Sequence, residues 1–369
     1  MKIGIIGTRG IPANYGGFET FAEEVATRLV ECGTEVLVVG DKGHQYDLIS
    51  YKGVEVRKTL ASKPTNPLKF YKESLELAIE YGAEFILMCG VGGTMLIPFY
   101  KNKKTVIAVN PDGLGFKRNK YGWWKKMAFY SQYLVSAKLS EYLICDSKGI
   151  STYYKKQFGR NKNLSIIEYG TYINPFLDKK ISREEFIKHE LLYIPFQYHL
   201  IVSRLEPENN VEMILKGFSQ AERNFPLVVV GNTNTRHSAE LLAYKSKNIH
   251  FIGGVYDREK LQLLRAGSFS YWHGHSVGGT NPSLLEAMGS GNLCICHDNV
   301  FNREVVREYG FYFANMNNAS DLFTEIEKDQ LDRESFVSGV LKRAKNYYNW
   351  DLISGKYLNF ALEAIENKR

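Results

Sequence analysis

Short apolar runs alternate along the chain with stretches whose apolar residues recur every three or four positions. Residues 1–7 form a strand-like run, and a glycine-rich loop follows over 7–17. In 18–32, Phe21, Val25 and Leu29 fall at helical spacing. Residues 35–40 are a second strand, and 54–56, 85–88 and 105–109 are three more, separated by helical stretches. Short, continuously apolar strands alternating with helices predict a parallel sheet covered on both faces. The same alternation restarts at 198–203. A helix is expected over 211–218, with strands at 227–231, 250–253, 268–272 and 293–296. The tail, 335–368, returns to helical periodicity.

Two α/β domains are therefore expected, which agrees with a length of 369 residues, more than one hydrophobic core usually serves. The boundary lies between residues 170 and 197, where Pro175 and the charged run 178–190 stand. At 44% apolar and 24% charged the chain is neither disordered nor a membrane bundle. Its most apolar uncharged stretch, 85–100, is broken by glycines and Pro98 and is shorter than the roughly 20 residues a spanning helix needs. Arg9 comes too early for a signal peptide, and the 5 cysteines show no Cys-x-x-Cys spacing. Reduced thiols in a cytoplasmic chain are expected, with no disulfide frame and no zinc site.

Charge is uneven. Residues 1–175 carry 24 Lys and Arg against 16 Asp and Glu, and the remainder carries 23 against 24. A basic half implies either an anionic partner or an evenly solvated basic surface.

Ligands of open parallel sheets bind at the carboxyl ends of the strands, so the chemistry is sought in those loops. In the first, Gly16 and Gly17 stand before a helix, where backbone N–H groups and the helix dipole suit a phosphate. A tight strand–helix turn is the competing reading. Gly4, Gly7 and Gly10 match the Gly-x-Gly-x-x-Gly nicotinamide fingerprint poorly, although Asp41 after the second strand could hold a ribose. In the second loop, Arg204 is placed to neutralise a diphosphate, unless it merely pairs with Glu206 or Glu208. The third loop, His273-Gly-His275-Ser276-Val-Gly278-Gly279-Thr280-Asn281-Pro282, reads as a second anion cradle. Asn281 would cap the helix that follows and Pro282 would sit at its first position. Glu286, one turn in, could accept from sugar hydroxyls. His273 and His275 show no third metal ligand nearby. In the fourth, Asp112 is a strand-end carboxylate suited to a base, or simply part of an Asp-Gly turn. Beyond it, residues 114–130 hold five basic side chains, six aromatics and no acid. That composition fits contact with a membrane surface, or a helix with an aromatic core face and a basic solvent face; nucleic-acid stacking ranks below both.

Taken together, these segments resemble the family-4 glycosyltransferases of the GT-B fold, in order over nearly the whole chain. The Tyr-Gly-Gly-Phe-Glu loop (15–19), Arg-Leu-Glu-Pro-Glu-Asn-Asn (204–210) and the run 273–288 are similar to a branch containing bacterial rhamnosyltransferases of capsule and cell-wall polysaccharide assembly. The resemblance implies two Rossmann-like domains facing across a cleft: 1–175 binding the acceptor, 176–345 binding the nucleotide sugar, and a C-terminal helix, 346–369, crossing back. It implies a retaining glycosyltransferase that takes a nucleoside diphosphate sugar as co-substrate, with dTDP-rhamnose as a specific case, and no cofactor or metal. The acceptor would be a saccharide or an undecaprenyl-linked saccharide. The enzyme would be cytoplasmic, peripheral at the inner face of the plasma membrane through 114–130, with no nucleic acid as partner. Carried over by position, Asp112 and Arg204 would be catalytic. Gly16, Gly17, Glu19, Asn209, His273, His275, Ser276, Gly278, Gly279, Thr280, Asn281 and Glu286 would touch substrate. Glu286 matches the second glutamate of the family's Glu-x7-Glu motif. The first falls at Gly278 and is absent, and the family lysine five residues after Arg204 falls at Asn209 and is absent too. The alternatives are a nucleotide-binding dehydrogenase or epimerase, and a catalytically decayed sugar-binding protein on the same fold.

Overall fold

The structure is a computed structural model that describes residues 1–14, 16–118, 120–177, 181–328 and 331–369. Tyr15 of the first loop and the opening of the charged run, 178–180, lie outside the described residues. The chain divides into two compact units. The first comprises Met1–Lys117, Tyr121–Gly170 and Trp350–Arg369, and the second comprises Arg118–Lys120 and Thr171–Asn349. The division falls after Gly170 where the sequence placed it after residue 175, and the C-terminal segment counted with the first unit starts at Trp350 instead of residue 346.

The first unit's strands are β1 (Lys2–Ile6), β2 (Glu35–Gly40), β3 (Ser50–Tyr51), β4 (Val54–Lys58), β5 (Phe85–Cys89), β6 (Val106–Asn110), β7 (Tyr142–Cys145) and β8 (Leu164–Ile166). They pair in the order β3-β4-β2-β1-β5-β6-β7-β8. Every pairing is parallel except the β3–β4 hairpin. Strands β5 and β6 are buried along their whole length, which is why they carry no alternating polar positions. Gly7 turns the chain out of β1 at φ +86, where a Cβ would strike the Cys89 carbonyl oxygen, so only glycine lets β1 and β5 end side by side. The C-terminal helix Trp350–Glu366 packs on the helix Gly17–Glu31, with the rings of Tyr357 and Phe21 5.1 Å apart.

The second unit's strands are β9 (His199–Val202), β10 (Leu227–Val230), β11 (Ile249–Gly253), β12 (Ser270–His273), β13 (Cys294–His297) and β14 (Gly310–Phe313), in the order β11-β10-β9-β12-β13-β14 and all parallel. Trp272 lies flat on Phe323 at 3.6 Å between centroids and anchors a core that includes Leu215, Phe218, Leu227 and Phe313.

Candidate functional site

In the second unit, two loops at the carboxyl ends of β9 and β12 are laced together. Asn209 is buried, and its Nδ2 donates to the Arg204 carbonyl at 2.6 Å. That contact turns its Oδ1 toward His275, whose Nδ1–H donates to it at 2.7 Å. Ser276 gives both its backbone N–H (2.9 Å) and its hydroxyl (3.0 Å) to the Glu208 carbonyl. A Cβ on Gly274 would meet the Asn209 carbonyl oxygen, so glycine is required for this closeness. Asn209 thus uses one N–H and one lone pair of its amide to hold the two loops together. Ser276 likewise faces inward.

The Arg204 side chain is exposed, with no hydrogen bond or ion pair among the described residues. The pairing with Glu206 or Glu208 that the sequence left open is not formed. Glu206 takes Lys120 at 3.3 Å, while the Glu208 carboxylate, 1% exposed, faces Arg118 Nε at 3.9 Å and Lys120 Nζ at 4.0 Å. Burial, then the positive charges of Arg118 and Arg204, hold His275 down to about 3, so its imidazole is neutral at ordinary pH. His273 is also buried and neutral, pushed down to about 3 by burial and by His275 and His297, and its Nε2 has no hydrogen-bond partner among the described residues.

The helix Pro282–Gly289 begins as the spacing predicts: Asn281 Oδ1 accepts the Ser283 N–H at 3.0 Å, with Pro282 at the first position. Its start is pinned to β9, because the Ser283 hydroxyl donates to the Val202 carbonyl at 2.8 Å. Gly278 adopts φ +133, and Gly279 and Thr280 complete the approach to the helix. Glu286 is half-exposed, and Arg265, a buried guanidinium from the preceding helix, holds one of its carboxylate oxygens at 2.5 Å. Arg265 went unnoticed in the sequence because nothing local marks it; it lies on the opposite side of β12 in the chain.

In the first unit the helix Gly17–Glu31 starts at Gly16 without a side-chain cap. The Glu19 carboxylate lies over that end. Its Oε1 accepts the Arg9 N–H at 2.7 Å, and its Oε2 would be 3.3 Å from a Cβ on Gly16. Glu19 is buried and ties its own loop together through the Arg9 N–H. Lys63, which the sequence reading missed, donates its ammonium to the Gly7 carbonyl beside this loop. Burial opposes its charge, yet Tyr71, Cys89 and Glu19 raise its affinity for the proton above the ordinary value. Asp41 is buried and accepts the Gly43 N–H at 2.6 Å and the Lys63 N–H.

Asp112 sits just past β6 at φ +61, a conformation Asp and Asn tolerate better than most residues. Its N–H donates to Asn110 Oδ1 at 3.0 Å, and Asn110 Nδ2 donates to the Tyr357 hydroxyl at 3.2 Å. The C-terminal helix therefore braces the Asp112 turn. The carboxylate itself has no hydrogen-bond partner among the described residues. The 114–130 aromatics divide. Phe116 packs on Tyr130 (5.4 Å) and Tyr133 (5.1 Å), while Trp123 and Trp124 are exposed.

One arrangement the sequence did not reveal imitates a hydrolase. His199 contacts Ser270 Oγ at 2.7 Å through Nδ1 and Glu327 at 2.8 Å through Nε2. Ser270 is fully buried and its oxygen also accepts the Trp272 indole N–H at 3.0 Å, so no acyl group reaches it. The trio is a core hydrogen-bond network. Among the described residues, no group of three or more His, Cys, Asp or Glu is gathered as a metal site.

Two covered parallel sheets in one chain are the GT-B architecture of glycosyltransferases. Residues 182–343 match the family "Glycosyl transferases group 1", and residues 1–172 match the family "Domain of unknown function (DUF1972)". Residues 182–343 of the second unit are thus similar to the glycosyl transferases of group 1. Sucrose-phosphate synthase from Thermosynechococcus elongatus shares the fold at a TM-score of 0.82, with 15% identity over 99% of each chain. Anabaena Alr3699/HepE in complex with UDP does so at 0.75, with 15% identity over 98% of this chain and 100% of that one. The Methanocaldococcus jannaschii protein described as an uncharacterized glycosyltransferase, MJ1069, is 23% identical over 209 residues. That alignment covers 53% of this chain and about half, 51%, of the relative.

Proposed function

We propose that the protein is a retaining glycosyltransferase. It moves a sugar from a nucleoside diphosphate sugar, dTDP-rhamnose being the specific case, to an undecaprenyl-linked saccharide in bacterial polysaccharide assembly at the inner face of the membrane. The observation that carries the reading is Arg204: an exposed guanidinium at the end of β9 with no partner among the described residues, in a loop laced through Asn209 and His275 to the approach of a capped helix. Negative charge grows on the leaving diphosphate in the transition state. Arg204, the amides of 278–281 and the dipole of the helix Pro282–Gly289 would meet it, without a metal. Glu286, oriented by Arg265, would hold nucleotide hydroxyls. Asp112, braced through Asn110 and Tyr357, would orient or deprotonate the acceptor hydroxyl in the first unit. The solved complexes of Anabaena Alr3699/HepE with UDP and with UDP-glucose support the donor class.

The test incubates the protein with a panel of nucleoside diphosphate sugars, with and without a polyprenyl-linked saccharide, and measures nucleoside diphosphate release. Release from one donor, increased by acceptor and with the anomeric configuration kept, is expected. Donor binding without release would support the decayed-transferase alternative. Reduction of a nicotinamide cofactor would support the dehydrogenase.

A further inference from the structure

We infer that the first unit docks on an anionic lipid bilayer through a face built from two elements: the segment 94–104 and the start of the helix Trp123–Leu139. This deepens the proposed function, since a lipid-linked acceptor would be met at such a surface, but it stands on separate observations.

The first is charge. Between residues 85 and 140 there are nine Lys and Arg and one acid, Asp112. That imbalance matches the whole excess of 24 basic over 16 acidic residues in 1–175; Arg118 and Lys120 belong to the second unit beside Glu206 and Glu208, and the other seven cations stand in the first. Lys101, Lys103, Lys104 and Lys125 are exposed and Lys126 is half-buried.

The second is apolar exposure in the same place. Met95 is 55% exposed, Phe99 82%, Trp123 61%, Trp124 80% and Met127 48%. The helix packs against both the Thr94–Leu96 turn and the Gly115–Lys117 turn, so the two patches adjoin. Met127 neighbours both Trp123, at i and i+4, and Trp124, at i and i+3, at the start of the helix. The buried positions of this helix, Tyr133, Ser136 and Ala137, are all in its second half, and Phe116, Tyr130 and Tyr133 already fill its aromatic core contact. The first half therefore presents its apolar side chains to solvent, flanked by lysines. Tryptophan at a headgroup boundary, Phe and Met reaching past it and Lys on phosphates together match an anionic interface. A nucleic-acid site would want open ring faces for bases. Here the indoles of Trp123 and Trp124 meet edge-on, 74° apart at 4.5 Å, and the Met and Phe side chains add apolar surface that a base edge does not need.

The experiment uses the full chain with phosphatidylcholine vesicles, with or without about 30% phosphatidylglycerol, since the attraction scales with anionic lipid. The protein has 4 tryptophans. Trp272 and Trp350 are buried, 0% and 5% exposed, so a blue shift on adding vesicles reports Trp123 and Trp124. Co-sedimentation with the anionic vesicles, a blue shift, and loss of both at high salt are expected. Lys103→Gln/Lys104→Gln/Lys125→Gln/Lys126→Gln should weaken vesicle binding by roughly tenfold or more. Phe99→Ser/Trp124→Ser should weaken binding and reduce the shift. Both variants should melt like the parent and release nucleoside diphosphate in detergent-free buffer at the parental rate. A parent that neither sediments nor shifts with anionic vesicles, variants that bind as the parent does, or binding to a single-stranded oligonucleotide in place of vesicles would each overturn the docking face. Donor turnover is read in solution without lipid, so failure of the glycosyltransferase reading and failure of the docking face are distinguishable.

Discussion

His275 gives its Nδ1–H to the side-chain carbonyl of Asn209 at 2.7 Å, and this bond closes the loop after β12 onto the loop after β9. The relationship explains why a position where the family resemblance expects lysine can carry asparagine: the side chain points inward, 6% exposed, between an imidazole and the Arg204 carbonyl. Asn209→Lys, which restores the expected residue, should therefore lower donor turnover instead of raising it, because an ammonium there would be buried beside a neutral His. Asn209→Ala should cost about 1–3 kcal/mol of stability by leaving buried polar groups unpaired. Urea unfolding and nucleoside diphosphate release measure both.

Stability should fall on acidification. In an unfolded chain His273 and His275 take a proton near 6.5, whereas in the fold they are held to about 3. Between those values the unfolded chain binds more protons, so each histidine lowers stability as pH falls below about 6.5, by up to about 1.4 kcal/mol per pH unit, and adds no slope above it. Comparing urea midpoints at pH 7 and pH 5 with those of His273→Gln/His275→Gln should show a shallower loss in the variant. Equal slopes would mean the imidazoles are not held neutral.

Arg204→Ala should leave the melting temperature unchanged, since the side chain is exposed and has no partner among the described residues, while donor turnover falls by about 10²–10³ as for removal of one preorganised donor to a developing anion. Arg204→Lys should recover part of it, because a point charge replaces a fork of donors. Near-parental turnover in the alanine variant would remove Arg204 from the site.

Asp112→Asn keeps a side chain suited to φ +61 and should fold normally. Transfer to acceptor should drop by about 10²–10⁴, the span of a lost general base. Donor hydrolysis in the absence of acceptor should change far less, and the ratio of the two rates is the measurement.

Much of the fold was legible in the sequence. β1, β2, β5, β6 and β10 are runs of four to six residues with nearly every position buried, and nothing but a covered parallel sheet accommodates them. The strands that escaped notice have reasons of their own. β8 is three half-buried residues at a sheet edge, β3 is a two-residue hairpin arm, and β14 is an edge strand opening on Gly310. β7 is only four residues long, with a half-buried first position. The helix cap at Asn281 was legible because capping is decided within three residues. Lys63 on Gly7, 56 residues apart, was not, and neither was Arg265 on Glu286.

The residue pattern alone determined that two covered parallel sheets form and which strand-end loops carry glycine, arginine and carboxylate, since burial periodicity and capping are local properties of the chain. Only the tertiary structure decided which of those polar groups find partners. Asn209, Glu19, Asp41 and Ser276 are engaged by bonds inside their own unit, while the Arg204 and Asp112 side chains have no hydrogen-bond partner among the described residues. A hydrogen bond goes to whatever partner folding brings within about 3 Å, and sequence separation says nothing about that distance.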